Sequence, residues 1–155
     1  PRIIGPCTVL TFGGHFSLKE TEGIKIARLG PLADSASLRH AYNASDLLVL
    51  PSRQDNHSLV GIEAQLCGVP VVGFSNSGVK YQIREGVTGY LAEDGDSESL
   101  ARAINRGLAE TMQAPSRRFG IAEAAHEIHN PKRVGEQIQR IYRLALEKEA
   151  QEEPQ

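Results

Sequence analysis

The sequence predicts an α/β domain: a Rossmann-like, doubly wound parallel sheet of about five strands, followed by a helical C-terminus. Three observations predict it. Short apolar and β-branched runs (Thr8–Phe12, Lys25–Leu29, Leu47–Leu50, Val69–Val72) alternate with stretches whose apolar residues recur every three or four positions. Turn and stop residues punctuate the junctions, as at Gly13-Gly14, Gly30-Pro31, Pro51-Ser52 and Gly68. Finally, Asp46 to Phe74 reads as a complete strand, loop, helix and strand, a unit that normally closes as a right-handed parallel crossover.

Taken in order, Thr8–Phe12 reads as a buried strand running into the Gly13-Gly14 turn, and Lys25–Leu29 as the next strand. A helix is expected from Ser35 or Ala36, with Leu38 and Tyr42 on its inner face. Leu47–Leu50 is too short for a buried helix and reads as a strand covered on both faces. The polar loop Arg53–Ser58 then leads into a helix with Leu59, Ile62, Glu63, Leu66 and Cys67 turned inward, ended by Gly68. After the strand Val69–Val72 come a turn-rich loop, a short helical segment Val79–Ile83 and a last strand within Gly86–Leu91. Asp96 or Ser97 caps a helix carrying Leu100, Ala103, Ile104 and Leu108 on one face. Beyond Pro115 two amphipathic stripes are predicted: Phe119, Ala122, Ala125 and Ile128, then Val134, Ile138, Ile141, Tyr142 and Ala145.

Length and composition bound the function. The 155 residues suit one domain with a real core, so residues 1–148 read as a single domain and 149–155 as a polar tail. Hydrophobic content of 40% and charged content of 23% are those of a soluble globular protein. A net charge of -2 gives no electrostatic case for nucleic acid or an anionic membrane as the main partner. No apolar run approaches the roughly 18 residues that span a bilayer, and no signal peptide is visible. Cys7 and Cys67 lack a metal-ligand spacing and read as buried thiols in a reducing cytosol, with a disulfide as the alternative. No Gly-rich loop with Lys, no Ser-His-Asp set and no metal cluster can be assembled, so neither a metal nor a cofactor is expected.

In open parallel sheets, ligands sit on loops at the carboxyl ends of strands, and here such a loop carries Asp55 and Asn56, with Glu63 in the helix behind. Pro51-Ser52-x-x-Asp55-Asn56, Glu63-Ala64 and Cys67-Gly68-x-Pro70-Val71-Val72, preceded by Gly30, Leu32, Leu38, Tyr42 and Ala44-Ser45-Asp46, resemble the donor-site core of GT-B retaining glycosyltransferases with the E-x7-E signature. Asp55 stands in place of the first acid and Glu63 at the second, and Asp-Asn in place of Glu-Gly is similar to the capsule and exopolysaccharide branch. The resemblance covers roughly Thr8 to Gly107.

It implies a nucleotide-sugar as substrate and a site of named parts. Glu63 would accept hydrogen bonds from both ribose hydroxyls, although an ordinary first-turn acid favoured by the helix dipole also explains it. Asp55 would hold the transferred sugar, its alternative being a turn residue satisfying its own loop. The amides of Asn56, His57, Ser58 and Leu59 would face the diphosphate, and the backbone of Arg28, Leu29 and Gly30 the base. Gly78 would allow close approach of a phosphate or sugar, while Tyr81 stands where the family has an acid. His15, His40, His57, His126 and His129 carry no expected catalytic role.

The resemblance also implies that the chain starts beyond the family's first strand, whose Arg/Lys diphosphate clamp and whose acceptor-binding domain lie outside it, so that Thr8–Phe12 and Leu47–Leu50 would each expose an unpaired edge or meet each other. The expectation is the donor-binding half of a transferase that moves a hexosyl group to a saccharide or glycolipid acceptor in cell-surface polysaccharide assembly, inactive by itself. A cytoplasmic location follows, compatible with peripheral association of the full-length protein with the inner membrane face. A stand-alone nucleotide-sugar binding module is the alternative from another class, and an epimerase or phosphorylase fragment of the same fold is a third.

Overall fold

The computed structural model describes residues 3–14, 19–76 and 78–152, with side chains as far as Lys148; His15, Ser77 and 153–155 lie outside the described residues. The chain divides into two compact units, Pro1–Ala125 and His126–Gln155.

The five strands among the described residues pair in parallel, as βαβ connections require. β1 (Cys7–Phe12) pairs with β2 (Ile24–Gly30) from Cys7↔Ile24 to Phe12↔Gly30. β3 (Leu48–Leu50), β4 (Val71–Phe74) and β5 (Gly89–Ala92) form a second sheet in that order. Of the two outcomes expected for Thr8–Phe12 and Leu47–Leu50, meeting each other or each exposing an edge, the structure has the second, and the strands fall into two sheets. Among the described residues β1 pairs only with β2 and β3 only with β4, so each presents an open edge. Hence β1 and β3 are half-exposed where buried strands were predicted: Val9 retains 37% of its surface, and all of Leu48–Leu50 are intermediate.

Side-chain alternation explains why β3–β5 need helices on both faces. Leu48, Leu50, Val71 and Leu91 point to a core with Tyr42, Ala64, Val69, Val79 and Ile83. Leu47, Val72, Phe74, Tyr90 and Ala92 point to another with Leu100, Ala103 and Ile104. The first core takes α1 (Ser35–Asn43) and α2 (Leu59–Leu66), the second α3 (Ser97–Gln113). Asp34 caps α1 by accepting from the Ser37 amide at 2.8 Å and its hydroxyl at 2.7 Å, and Asp96 caps α3.

Three predicted faces need correction. In α2 the buried residues are Gly61, Ala64 and Gln65, while Leu59 is 68% exposed and Ile62, Glu63, Leu66 and Cys67 are half-buried. Small residues let this helix lie close on the sheet: a Cβ at Gly61 would already stand 3.1 Å from the Leu50 side chain. In α4 (Arg117–Ile128) the buried residues are Ile121, Ala124 and Ala125, and the predicted anchor Phe119 is 77% exposed. Two arginines set that rotation. Arg117 pairs with Glu110 and donates to the Gly86 carbonyl at 2.6 Å, and Arg118 donates to the Ser45 carbonyl at 3.0 Å and that of Asn43 at 3.3 Å. In the second unit α5 runs Pro131–Glu152, past the point where a polar tail was expected, with Ile138, Ile141 and Tyr142 exposed.

Candidate functional site

The loop between β3 and α2 leaves the carboxyl end of a strand, and the loop after β4 braces it. Asp55 Oδ1 accepts from the His57 amide at 3.0 Å, a local turn typical of Asp. The Gly78 amide donates to the Asp55 carbonyl at 2.5 Å. A Cβ at Gly78 would fall 1.9 Å from the Asn56 carbonyl oxygen and 2.6 Å from that of Asp55, so only glycine fits. Buried Gln82 completes the brace. Its Oε1 accepts from the Ser58 amide at 3.3 Å, and its Nε2 donates to the Ser58 carbonyl at 3.2 Å. Behind it Gln65 Nε2 donates to the carbonyls of Gln82 and Thr88 at 3.1 and 3.3 Å, and to Thr88 Oγ1 at 3.2 Å.

Glu63 lies in the middle of α2, about 7 Å along the axis from Ser58 at the usual rise per residue. It is half-buried, and its Oε2 accepts from the Tyr42 hydroxyl at 2.9 Å. No partner engages Oε1 among the described residues. Tyr42 is only 2% exposed, and its ring meets that of Phe12 edge-on with centroids 5.6 Å apart. Burial first, then the hydrogen bond to Glu63 and its charge, hold the phenol well above its ordinary pKa, so it stays a donor.

The predicted site residues therefore fall into two linked groups. Asp55, Asn56, His57, Ser58 and Gly78 are drawn together at the ends of β3 and β4. Arg28, Leu29 and Gly30 end β2, and they reach Glu63 in steps: Gly30 pairs with Phe12, Phe12 packs on Tyr42, and Tyr42 holds Glu63. Among the described residues no hydrogen bond or ion pair joins Asp55 directly to Glu63; the first turn of α2 links them.

One expectation about the amides changes. Those of His57 and Ser58 are already engaged, by Asp55 Oδ1 and Gln82 Oε1. The Ser58 hydroxyl takes the Gly61 amide at 3.4 Å, and its carbonyl the Ile62 amide at 3.2 Å. The amides of Asn56, Leu59 and Val60 remain without a protein acceptor among the described residues, so the open donors include Val60, which sequence reasoning passed over.

Sequence reasoning also missed Gln82, Gln65 and the hydroxyl role of Tyr42. A signal existed for the last: a tyrosine on an inward helical face needs a partner for its hydroxyl. Two surface depressions lie elsewhere, one around Cys7, Glu20 and Lys25 and one around Glu85, Arg102 and Arg106. Neither includes Asp55 or Glu63. Among the described residues no group of His, Cys, Asp and Glu could hold a metal ion, and no helix is long and apolar enough to cross a membrane.

Parallel strands with helices on both faces and polar groups at their carboxyl ends make this a doubly wound α/β domain, and solved glycosyltransferase structures share its fold. Sucrose-phosphate synthase from Thermosynechococcus elongatus superposes with a TM-score of 0.65 at 28% identity, over 80% of this chain and 31% of that one. The Anabaena HepE complex with UDP-glucose gives 0.59 at 25% identity, over 75% and 32%. The profile described as "Glycosyl transferases group 1" matches residues 2–110, and the chain belongs to that family. Among curated relatives, D-inositol 3-phosphate glycosyltransferase of Thermobispora bispora is 32% identical over 128 residues, 79% of this chain and 28% of the relative. That of Geodermatophilus obscurus is 41% identical over 83 residues, 52% and 18%. The chain thus spans less than a third of the length of these proteins.

Proposed function

We propose that this chain binds the donor of a retaining glycosyltransferase: a nucleotide-sugar, gripped by its ribose at Glu63 and by its hexosyl group at Asp55, for transfer to a saccharide or glycolipid acceptor. The observation that carries the reading is Glu63 itself. It is a half-buried carboxylate with one oxygen held by Tyr42 and the other unengaged among the described residues, on the helix that follows the strand-end loop. A carboxylate oxygen in that state is suited to accept from hydroxyl groups. The family and a structural neighbour in complex with UDP-glucose support a nucleotide-sugar as the ligand.

The remaining parts follow by chemistry. Asp55 spends Oδ1 on its own turn and has Oδ2 for sugar hydroxyls. The amides of Leu59 and Val60 open α2, where the helix dipole and unengaged N–H groups favour a diphosphate. The end of β2, at Arg28, Leu29 and Gly30, borders the base. Retention of configuration is what the resemblance of Asp55-x7-Glu63 to the E-x7-E signature of retaining glycosyltransferases implies.

Calorimetric titration of the full-length protein that carries this chain, with uridine, guanosine and adenosine diphosphates, tests the reading. One of the three should bind, and Glu63→Ala should weaken it about 10- to 100-fold, the loss of one or two hydrogen bonds to a charged acceptor. Binding by none of them, or unchanged affinity in the variant, would remove the reading.

A further inference from the structure

We infer that Tyr42 is a positioning residue of the donor site, its buried hydroxyl fixing Glu63 in the orientation that offers Oε1 to the ribose. The inference rests on the ribose role proposed for Glu63. Three observations carry it. The Tyr42 hydroxyl donates to Oε2 at 2.9 Å, so a single oxygen of the carboxylate is committed. The ring cannot move freely: it is 2% exposed, packed in the core with Ala64, Val69 and Val71, and met edge-on by Phe12. Its backbone is secured too, because Arg118 reaches from α4 to the carbonyls of Tyr42, Asn43 and Ser45 at the end of α1.

A glutamate side chain has three torsions, and ordering it for a ligand costs entropy that an existing hydrogen bond has already met. Tyr42 can supply that bond only as a donor, and a phenol enclosed beside a carboxylate keeps its proton. Tyr42 also joins the two sheets: Phe12 belongs to β1, and Glu63 to the helix between β3 and β4. The end of β2, paired to Phe12 through Gly30, is thereby referenced to the same carboxylate.

A ligand comparison separates positioning from packing. In the full-length protein that carries this chain, the tightest binder among UDP, GDP and ADP is titrated beside its 2′,3′-dideoxy counterpart. The unmutated protein, Glu63→Ala, Tyr42→Phe and the double variant are compared. Tyr42→Phe should weaken the ribose form about three- to tenfold, the worth of one net hydrogen bond. It should leave the dideoxy form unchanged and add nothing in the Glu63→Ala background. A residue that only packs the core would shift both ligands alike or neither, and either result overturns the inference while leaving Glu63 untouched. If Glu63→Ala itself fails to distinguish the two ligands, the ribose reading falls and the inference with it. Should Tyr42→Phe not fold, Phe12→Leu replaces it: it keeps the phenol and removes its edge contact. The expected loss is smaller and again confined to the ribose form, and equal losses on both ligands would count against the inference.

Discussion

At the scale of single residues, the candidate site is braced by buried side chains behind it. Gln82 satisfies both the amide and the carbonyl of Ser58, the cap of α2. Removing one side of a buried hydrogen-bonded pair costs about 1–3 kcal/mol for each orphaned group. Gln82→Ala should therefore lower stability by roughly 2 kcal/mol or more in denaturant unfolding, whereas Gln54→Ala, on the exposed loop, should stay within about 0.5 kcal/mol. Glu110 gives a pH signature. It accepts from the Tyr90 hydroxyl at 2.7 Å, pairs with Arg117 and bonds Arg106 at 2.9 Å, and these hold its pKa down to about 2 from an ordinary 4.5. A carboxylate lowered in the folded state stabilises above its ordinary pKa, and that stability is lost as pH falls through its folded pKa. Melting temperatures of the unmutated chain and Glu110→Gln should thus differ above pH 4.5 and converge towards pH 2. A difference that grows on acidification would contradict the assignment. Asp55 and Glu63 could be singled out as candidates in the sequence because their spacing and neighbours are local. The partners Tyr42 and Gln82 were not, since a bond across 21 or 24 positions leaves no periodic trace.

At the scale of elements, strand and helix positions were legible within a residue or two, apart from the end of α5, because turn residues and periodicity are local signals. The buried faces of α2 and α4 were less so. Counting large apolar residues pointed to Leu59 and Phe119, both exposed, whereas close packing selected Gly61 and Ala64 in one helix and Ile121, Ala124 and Ala125 in the other. The rotation of α4 was hidden because arginine bonds to distant carbonyls decide it. Thermal or denaturant unfolding checks this face directly. Ile121→Ala, at 4% exposure, should cost about 2–4 kcal/mol, and Phe119→Ser less than about 0.5 kcal/mol. The junction of α2 with α4 adds a further case. Gly68 has φ +75°, and a Cβ there would lie 2.5 Å from the Arg118 carbonyl oxygen. Gly68→Ala should destabilise by more than about 1 kcal/mol, the strain of a left-handed residue with a clash added.

At the scale of the whole molecule, parallel strands with helices on both faces were legible, whereas the sequence left open whether Thr8–Phe12 and Leu47–Leu50 meet or each expose an edge. Apolar runs announce strands, but pairing depends on which edges meet, and β1 and β3 do not meet. What connects the sheets at the candidate site is a side-chain path, Phe12 to Tyr42 to Glu63. The account stands on Glu63 as the ribose acceptor, and a crystal structure of the full-length protein with bound nucleoside diphosphate tests it most directly. Both ribose hydroxyls should lie about 2.6–3.2 Å from Glu63, with Tyr42 still on Oε2 and the diphosphate at the Leu59 and Val60 amides. A nucleotide seated instead in the depression around Arg102 and Arg106, or beside Cys7 and Lys25, with Glu63 facing water, would contradict it.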